Sequence, residues 1–160
     1  MPTFDPGSRF PPITLHEETG RPVNPPAGEN LYVFYKTTCP TTEMAWPHLE
    51  RIRLLADGGS LAVVPVSQDD PEETAEFHRR TGFSAPALYD PPPWTVSESL
   101  GLWSVPAFFL VGGDGVVRQT ALGFERDKME SFAARAAELA GRPFAGLFDP
   151  GDTVPAARPG

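Results

Sequence analysis

The chain has 160 residues, a formal net charge of −8 at pH 7 and one cysteine. This length suits one domain with an apolar core of ordinary size. One cysteine cannot form an intrachain disulfide, and the negative charge disfavours nucleic acid and anionic membranes as partners. No apolar run approaches the ~18 residues of a membrane span, and the first residues do not resemble a basic, apolar leader. We therefore expect a cytoplasmic protein without membrane or nucleic-acid contacts.

Prolines divide the chain into an ordered part and a tail. The sequence contains 20 prolines, and several of them follow residue 142. Proline-rich segments bury little apolar surface and often stay extended. We predict a single domain over residues 1–148 and a proline-rich, weakly ordered C-terminal tail over residues 149–160.

The first part of the chain predicts a strand, a second strand, a helix and a third strand. Residues 13–15 predict a short strand, and the apolar run 31–35 predicts a central strand that is covered on both faces. The segment after Cys39 has an apolar face at helical spacing, with Pro47 inside it as a predicted kink. Residues 61–66 predict a strand in which Pro65 favours a sheet edge or a position near the strand end. The apolar helix face consists of Ala45, Leu49, Ile52 and Ala56.

The second half continues with helix, short helix, hairpin, helix. Asp70 and Pro71 predict a capped helix start, and Gly82 predicts its end. Residues 95–100 predict a short helix, and residues 105–118 predict two strands around a Gly/Asp turn. Residues 127–140 predict a last helix. The exposed acidic run 69–73 is interpreted as the solvated start of the second helix.

Cys39 lies where the predicted central strand passes into the first helix. Unpaired N–H groups and the positive end of the macrodipole at a helix start favour a thiolate, which is the nucleophilic form of cysteine. The side chains of Thr41 and Thr42 could donate hydrogen bonds to that thiolate, or they could serve only as ordinary helix-start residues. Cys39 could also be an inert, buried thiol.

The order of elements and four landmarks resemble bacterial redoxins of the TlpA and AhpC/TSA type. The landmarks are the run 34–40 around Cys39, Pro47 eight residues after the thiol, the run 64–69, and Val105-Pro106 before the apolar strand. The resemblance spans roughly residues 10–140. It implies a thioredoxin-like α/β fold, with a central mixed β-sheet flanked by α-helices and an N-terminal redoxin-type extension.

The resemblance also implies the residues of a site. Cys39, Pro40, Thr42 and Pro106 would be the catalytic positions, with Pro106 a cis-proline that faces the thiol. Thr38, Thr41, Trp103 and Val105 would contact substrate, and the backbone of Val105 would pair with an extended peptide. Trp46 and Trp94 could join Trp103 around the thiol, although aromatic side chains are more often part of a core.

Two departures from the family pattern limit the chemistry. Most such redoxins carry Cys-x-x-Cys, whereas Thr42 occupies the second cysteine position here. The peroxiredoxin motif Pro-x-x-x-Thr/Ser-x-x-Cys meets Tyr32 and Lys36 instead of its proline and hydroxyl residue. The usual peroxidase motif is therefore absent, and two-thiol exchange within one chain is impossible.

The sequence thus favours a monothiol oxidoreductase with an antioxidant role, whose cysteine is resolved by an outside thiol. The partner would be a protein disulfide or thiol, or a low-molecular-weight thiol, and a homodimer is possible. His16, His48 and His78 are scattered singly, so we expect no metal site, and we expect no cofactor. The alternative is a catalytically silent thioredoxin-like module that binds a protein partner.

Overall fold

A central mixed sheet organises the computed structural model, which describes residues 4–160. The first three residues of the predicted domain lie outside the described residues. The strands are β1 Leu15–His16, β2 Pro22–Val23, β3 Glu29–Tyr35, β4 Leu61–Ser67, β5 Leu88–Tyr89, β6 Ala107–Val111, β7 Val117–Leu122, β8 Phe124–Glu125 and β9 Ala157–Arg158. The helices are α1 Pro40–Ala56, α2 Pro71–Thr81, α3 Thr95–Ser99 and α4 Arg126–Leu139.

Seven of these strands form the main sheet in the order β2-β1-β5-β4-β3-β6-β7. Strands β3, β4 and β5 run parallel, whereas β6 is antiparallel to β3, and β7 is antiparallel to β6. Strands β8 and β9 form a separate antiparallel pair. The fold is thioredoxin-like α/β, as the resemblance implied.

Strand β3 is buried on both faces, as its unbroken apolar run predicted. Leu31, Val33 and Tyr35 face a core that includes side chains of α1, α2 and α4. Tyr32 and Phe34 face a second core, which α3 and the N-terminal segment complete. This burial places the end of β3, from which the loop to Cys39 begins, in a rigid part of the molecule.

Helix ends follow local sequence signals closely. The carboxylate of Asp70 accepts the Glu73 N–H at 2.8 Å and caps α2, and Gly82 ends the helix with a left-handed φ of 73°. The predicted apolar face of α1 is buried throughout. Pro47 lies inside α1, as predicted.

Of the two placements predicted for Pro65, the sheet edge is excluded, because β4 lies between β5 and β3. The short β5 pairs with β4 only from Val66 onward, so Pro65 has no neighbour on that side. A proline without a ladder N–H is accommodated where such a neighbour is lacking. Pro65 is also the third residue from the end of β4, in keeping with the other predicted placement.

The segments at both ends of the chain pack on the domain. Residues before β3 form the β1–β2 hairpin and a stretch that bonds to β7, where the Gly7 N–H donates to the Val117 carbonyl at 2.8 Å. Residues 149–160 contact α1 at Arg51 and Thr41 and include β9. How firmly this tail is held stays a prediction. None of the helices in residues 4–160 combines the length and apolar character needed to cross a membrane.

Candidate active site

Cys39 is the residue immediately before α1, with extended backbone angles of φ −85° and ψ 119°. Its carbonyl accepts the Glu43 N–H at 3.1 Å, and Pro40 occupies the first helical position. The thiol is half-buried. The side chain therefore lies at the positive end of a 17-residue helix and retains a path to solvent.

Asp69 holds the loop that presents Cys39. One of its carboxylate oxygens accepts the Thr37 N–H at 2.7 Å and the Thr37 hydroxyl at 2.9 Å. This contact joins the end of β4 to the loop after β3. Interpreting Asp69 only as part of a solvated helix start was therefore wrong, because its carboxylate is committed to the loop.

Val105 faces the thiol directly. The Cys39 Sγ–H donates to the Val105 carbonyl at 3.6 Å, and the Val105–Pro106 peptide bond is cis, as the resemblance implied. Pro106 is buried, and its carbonyl accepts the Gly123 N–H at 2.7 Å. The structure thus brings together Cys39 and the segment before β6.

Neither predicted threonine donor is bonded to the thiol. The Thr41 hydroxyl donates to the Pro159 carbonyl at 2.7 Å. The Thr42 hydroxyl is fully buried and has no hydrogen-bond partner within the described chain. Thr38 is exposed in the loop ahead of the thiol. Among the described residues, the geometry assigns the bonded contact with Cys39 Sγ to Val105.

Two of the three tryptophans line a groove beside the thiol loop. Trp103 is 74% exposed, and Trp94 is 40% exposed with its indole N–H bonded to the Gln68 carbonyl at 2.9 Å. The Lys36 ammonium lies 5.4 Å from the centre of the Trp94 ring. The groove has a volume of about 470 Å³ and includes Lys36, Gln68, Trp94, Trp103, Ser104 and Val105 in its wall.

Trp46 does not belong to this groove, contrary to the possibility raised from the sequence. Its ring is fully buried, 4.1 Å from the Tyr35 ring centre and 5.6 Å from that of Phe83. Trp46 precedes Leu49 by three residues, so it shares the apolar face of α1. That spacing could have identified it as a core residue.

The histidines lie apart from the thiol. Burial lowers the pKa of His78, whose ring bonds the Tyr35 hydroxyl at 2.6 Å. Burial, reinforced by the positive charge of Arg51, lowers the pKa of His48. Across residues 4–160, no three His, Cys, Asp or Glu side chains are grouped as a metal site.

Sequence reasoning missed three contributors to the site. Ser104 and Gln68 line the groove, and Pro159 contacts Thr41 from the far end of the chain. Ser104 could have been included because it directly precedes Val105. Pro159 gave no signal, because its partner is 118 residues away.

The chain is similar in sequence to one known protein family. The sequence profile described as the AhpC/TSA family matches residues 6–120, which include the thiol loop and the Val105-Pro106 segment. The chain belongs to the AhpC/TSA family. No curated protein sequence matches the chain.

Solved structures similar to this AhpC/TSA protein share its fold. The thioredoxin domain of a thiol-disulfide oxidoreductase from Bacteroides vulgatus aligns with a TM-score of 0.70 at 18% identity, covering 83% of this chain and 98% of its own. Peroxidoxin BcpB from Mycobacterium tuberculosis aligns at 0.66 and 19% identity, with coverage of 87% and 97%.

A third similar structure is a secreted disulfide oxidoreductase from Mycobacterium tuberculosis that is homologous to E. coli DsbE. It aligns with a TM-score of 0.63 at 16% identity, covering 77% of this chain and 95% of its own. Together these alignments confirm the thioredoxin-like fold of thiol-disulfide oxidoreductases for this family member.

Proposed function

We propose that this protein is a thiol-disulfide oxidoreductase that works with one cysteine, Cys39, and relies on an outside thiol for resolution. The observation that carries the proposal is the position of Cys39. It is half-buried at the start of α1, and its Sγ faces the Val105 carbonyl at 3.6 Å. A thiol at a helix start with access to solvent has the surroundings of a reactive cysteine.

The chemistry takes two balanced steps. The Cys39 thiolate attacks one sulfur of a disulfide, a new S–S bond forms, and the old S–S bond breaks to release the other sulfur as a thiolate. An external thiolate then attacks the mixed disulfide, takes the substrate sulfur in a new disulfide and returns Cys39 as thiolate. Each cycle consumes one external thiolate and exchanges one disulfide for another, so the number of disulfide bonds does not change.

The external resolving thiol is required by composition. The chain has no second cysteine, and Thr42 stands one turn after Cys39 where a resolving thiol would act. A hydroxyl group cannot displace a thiolate from a mixed disulfide under these conditions. We propose a low-molecular-weight thiol or a protein thiol as the resolving partner, and the reducing cytoplasm as the location.

The experiment follows reaction with a small aromatic disulfide and the return of free protein thiol upon addition of an external thiol. We expect one equivalent of leaving thiolate per chain, and turnover only while external thiol is present. Cys39→Ala serves as the blank.

Two results would contradict the proposal. An unreactive thiol in the folded protein, or turnover no faster than that measured with Cys39→Ala, would favour a catalytically silent module that binds a partner. Thr42→Cys tests whether a second thiol at this position can reach Cys39, because residue 42 follows Cys39 by one helical turn and lies on the same side of the helix start. This variant should form an intrachain disulfide, whereas Thr41→Cys should not.

A further inference from the structure

The tail is attached to the body of the domain well before its last residues. The Phe148 ring lies 4.8 Å from the His48 ring centre and 6.0 Å from that of Phe124. The Arg51 guanidinium then donates to the Asp152 carboxylate at 2.6 Å. These contacts direct residues 153–160 along the N-terminal half of α1, toward the end that carries Cys39.

The last residues of the tail lie on the thiol face. Strand β9 pairs with β8, and the Thr41 hydroxyl donates to the Pro159 carbonyl. Gly160 follows, so close to the Val105 carbonyl that a Cβ added there would overlap this carbonyl and approach the Ser104 hydroxyl at 2.9 Å. The tail thus ends against the same carbonyl that faces Cys39 Sγ.

A second glycine, Gly123 in the body of the domain, leaves the space that the tail needs to come close to Val105. A Cβ at Gly123 would overlap the Arg158 carbonyl and lie 3.0 Å from the Cα of Pro159. Gly123 also has a φ of 69°, which other residues rarely adopt. Two positions without side chains therefore meet where the tail crosses to Val105.

We infer that residues 157–160 cover the peptide-pairing position at Val105 and thereby restrict Cys39 to low-molecular-weight disulfides. This inference rests on the proposed function. An extended polypeptide that added to the backbone here would need the space that Gly160 occupies. The rate at which Cys39 reacts with such a polypeptide is therefore proportional to the fraction of molecules in which residues 157–160 have moved away from Val105.

The side of Val105 away from the tail stays open. The groove of about 470 Å³ with Trp94 and Trp103 in its wall adjoins Val105, and the tail residues are not part of that wall. A small organic disulfide can stack on these rings beside Val105, and it does not need to pair with the Val105 backbone. The substrate class that is compatible with a tail lying on Val105 is therefore a small disulfide.

The test compares two probes that release the same coloured thiolate. One is 5,5′-dithiobis(2-nitrobenzoate), and the other is an unstructured peptide whose single cysteine carries the same thionitrobenzoate group. In the unmodified chain we expect the peptide to react more slowly than the small probe. Gly160→Ala should raise the peptide rate constant about tenfold and leave the small-probe rate constant within about twofold.

The control is Gly151→Ala, because a Cβ at Gly151 meets no atom within 4 Å among the described residues. It should match the unmodified protein with both probes. Asp152→Ala is a second displacing variant that acts at the Arg51 attachment, away from the thiol. It should shift the ratio of peptide to small-probe rate constants in the same direction as Gly160→Ala.

Hydrogen exchange of the Arg126 amide reports displacement, because this amide donates to the Ala156 carbonyl at 2.9 Å. Faster exchange in either displacing variant with an unchanged rate ratio would overturn the inference. Unchanged exchange with an unchanged ratio would overturn it as well, because Gly160 and Asp152 would then not hold the tail. A small probe that fails to react with Cys39 contradicts the proposed function itself.

Discussion

The Thr42 hydroxyl is an unusual feature at the scale of single residues. The side chain is fully buried one turn into α1, and no hydrogen-bond partner for its oxygen is found in residues 4–160. A buried polar group without a partner costs about 1–3 kcal/mol. The hydroxyl therefore contributes no bonded contact to Cys39 and opposes folding.

We predict that Thr42→Val raises the free energy of unfolding by about 1 kcal/mol, because valine has nearly the same shape and no hydroxyl group. Urea denaturation measures the change. Thr74→Val is the matched control, because Thr74 is equally buried in α2 but bonds Ser67 at 2.7 Å and the Asp70 carbonyl at 2.8 Å. That variant should lose about 1 kcal/mol. Equal changes in the two variants would contradict the argument.

His78 makes stability depend on pH. Its Nδ1 lies 3.1 Å from the Ala85 carbonyl, and its Nε2 lies 2.6 Å from the Tyr35 hydroxyl. A neutral ring with its proton on Nδ1 satisfies both contacts. Because burial lowers the pKa of His78 below 6.5, the unfolded chain binds this proton at a higher pH than the folded chain.

The stability that neutral His78 contributes is therefore complete above pH 6.5 and is lost as the pH falls through the folded pKa. We expect urea midpoints to be constant above pH 6.5 and to decline as the pH falls below 6.5. The urea midpoint of His78→Gln should decline less steeply with falling pH. His48 should account for part of the pH dependence that remains in this variant. Parallel profiles for the two proteins would contradict this prediction.

Among the elements, helices and long strands could be predicted because their signals are local. The Asp70 cap, Pro71 and Gly82 define α2 without reference to the rest of the fold. Strands such as β5 and β8 have two residues each, and only their pairing partners define them. No local pattern could identify them.

The candidate site divides in the same way. The position of Cys39 follows from the strand and helix around it, and Val105-Pro106 could be placed only through the family resemblance. Asp69 and Pro159 could not be placed, because their partners Thr37 and Thr41 are 32 and 118 residues away. Contacts between residues so far apart in the sequence depend on the complete fold.

An ion pair joins β3 to α4 and is a test of how these elements are held together. The Arg135 guanidinium donates to both oxygens of Glu29 at 2.8 and 3.0 Å, and the Glu29 side chain is only 8% exposed. Removing one partner leaves the other charge buried and uncompensated.

We predict that Arg135→Ala lowers the free energy of unfolding by about 2 kcal/mol, less than for a fully buried pair because Arg135 is partly exposed. Chemical denaturation measures the loss. Arg118→Ala removes an exposed pair with Asp114 and should change stability by less than about 0.5 kcal/mol. If Arg135→Ala lowers the free energy of unfolding no more than this control does, the Glu29–Arg135 ion pair does not stabilise the fold.

At the scale of the whole molecule, the chain closes on itself. Residues 149–160 return along α1, so that Gly160 meets Val105 beside the thiol. Phe148 is the apolar contact from which this return starts, because its ring packs on His48 and Phe124. The family match extends over residues 6–120, and the tail lies outside the matched region.

We predict that Phe148→Ala lowers the free energy of unfolding by about 2 kcal/mol and makes residues 149–160 more susceptible to limited proteolysis. Denaturation and mass spectrometry of the digest measure the two effects. Leu54→Ala, at an exposed position of α1, should change neither. Protection of the tail that equals that of the unmodified protein would contradict the role of Phe148.

The different exposure of the three tryptophans has a practical consequence for spectroscopy. The indole of Trp46 is sealed among Tyr35, Phe77 and Phe83, whereas Trp103 stands 74% exposed at the groove. Indole fluorescence shifts to longer wavelength in water, so Trp103 should emit to the red of Trp46. A molecule that enters the groove would quench or shift the red component, while unfolding would change the blue one. The protein thus carries its own optical signals for ligand binding and for folding, without an attached dye.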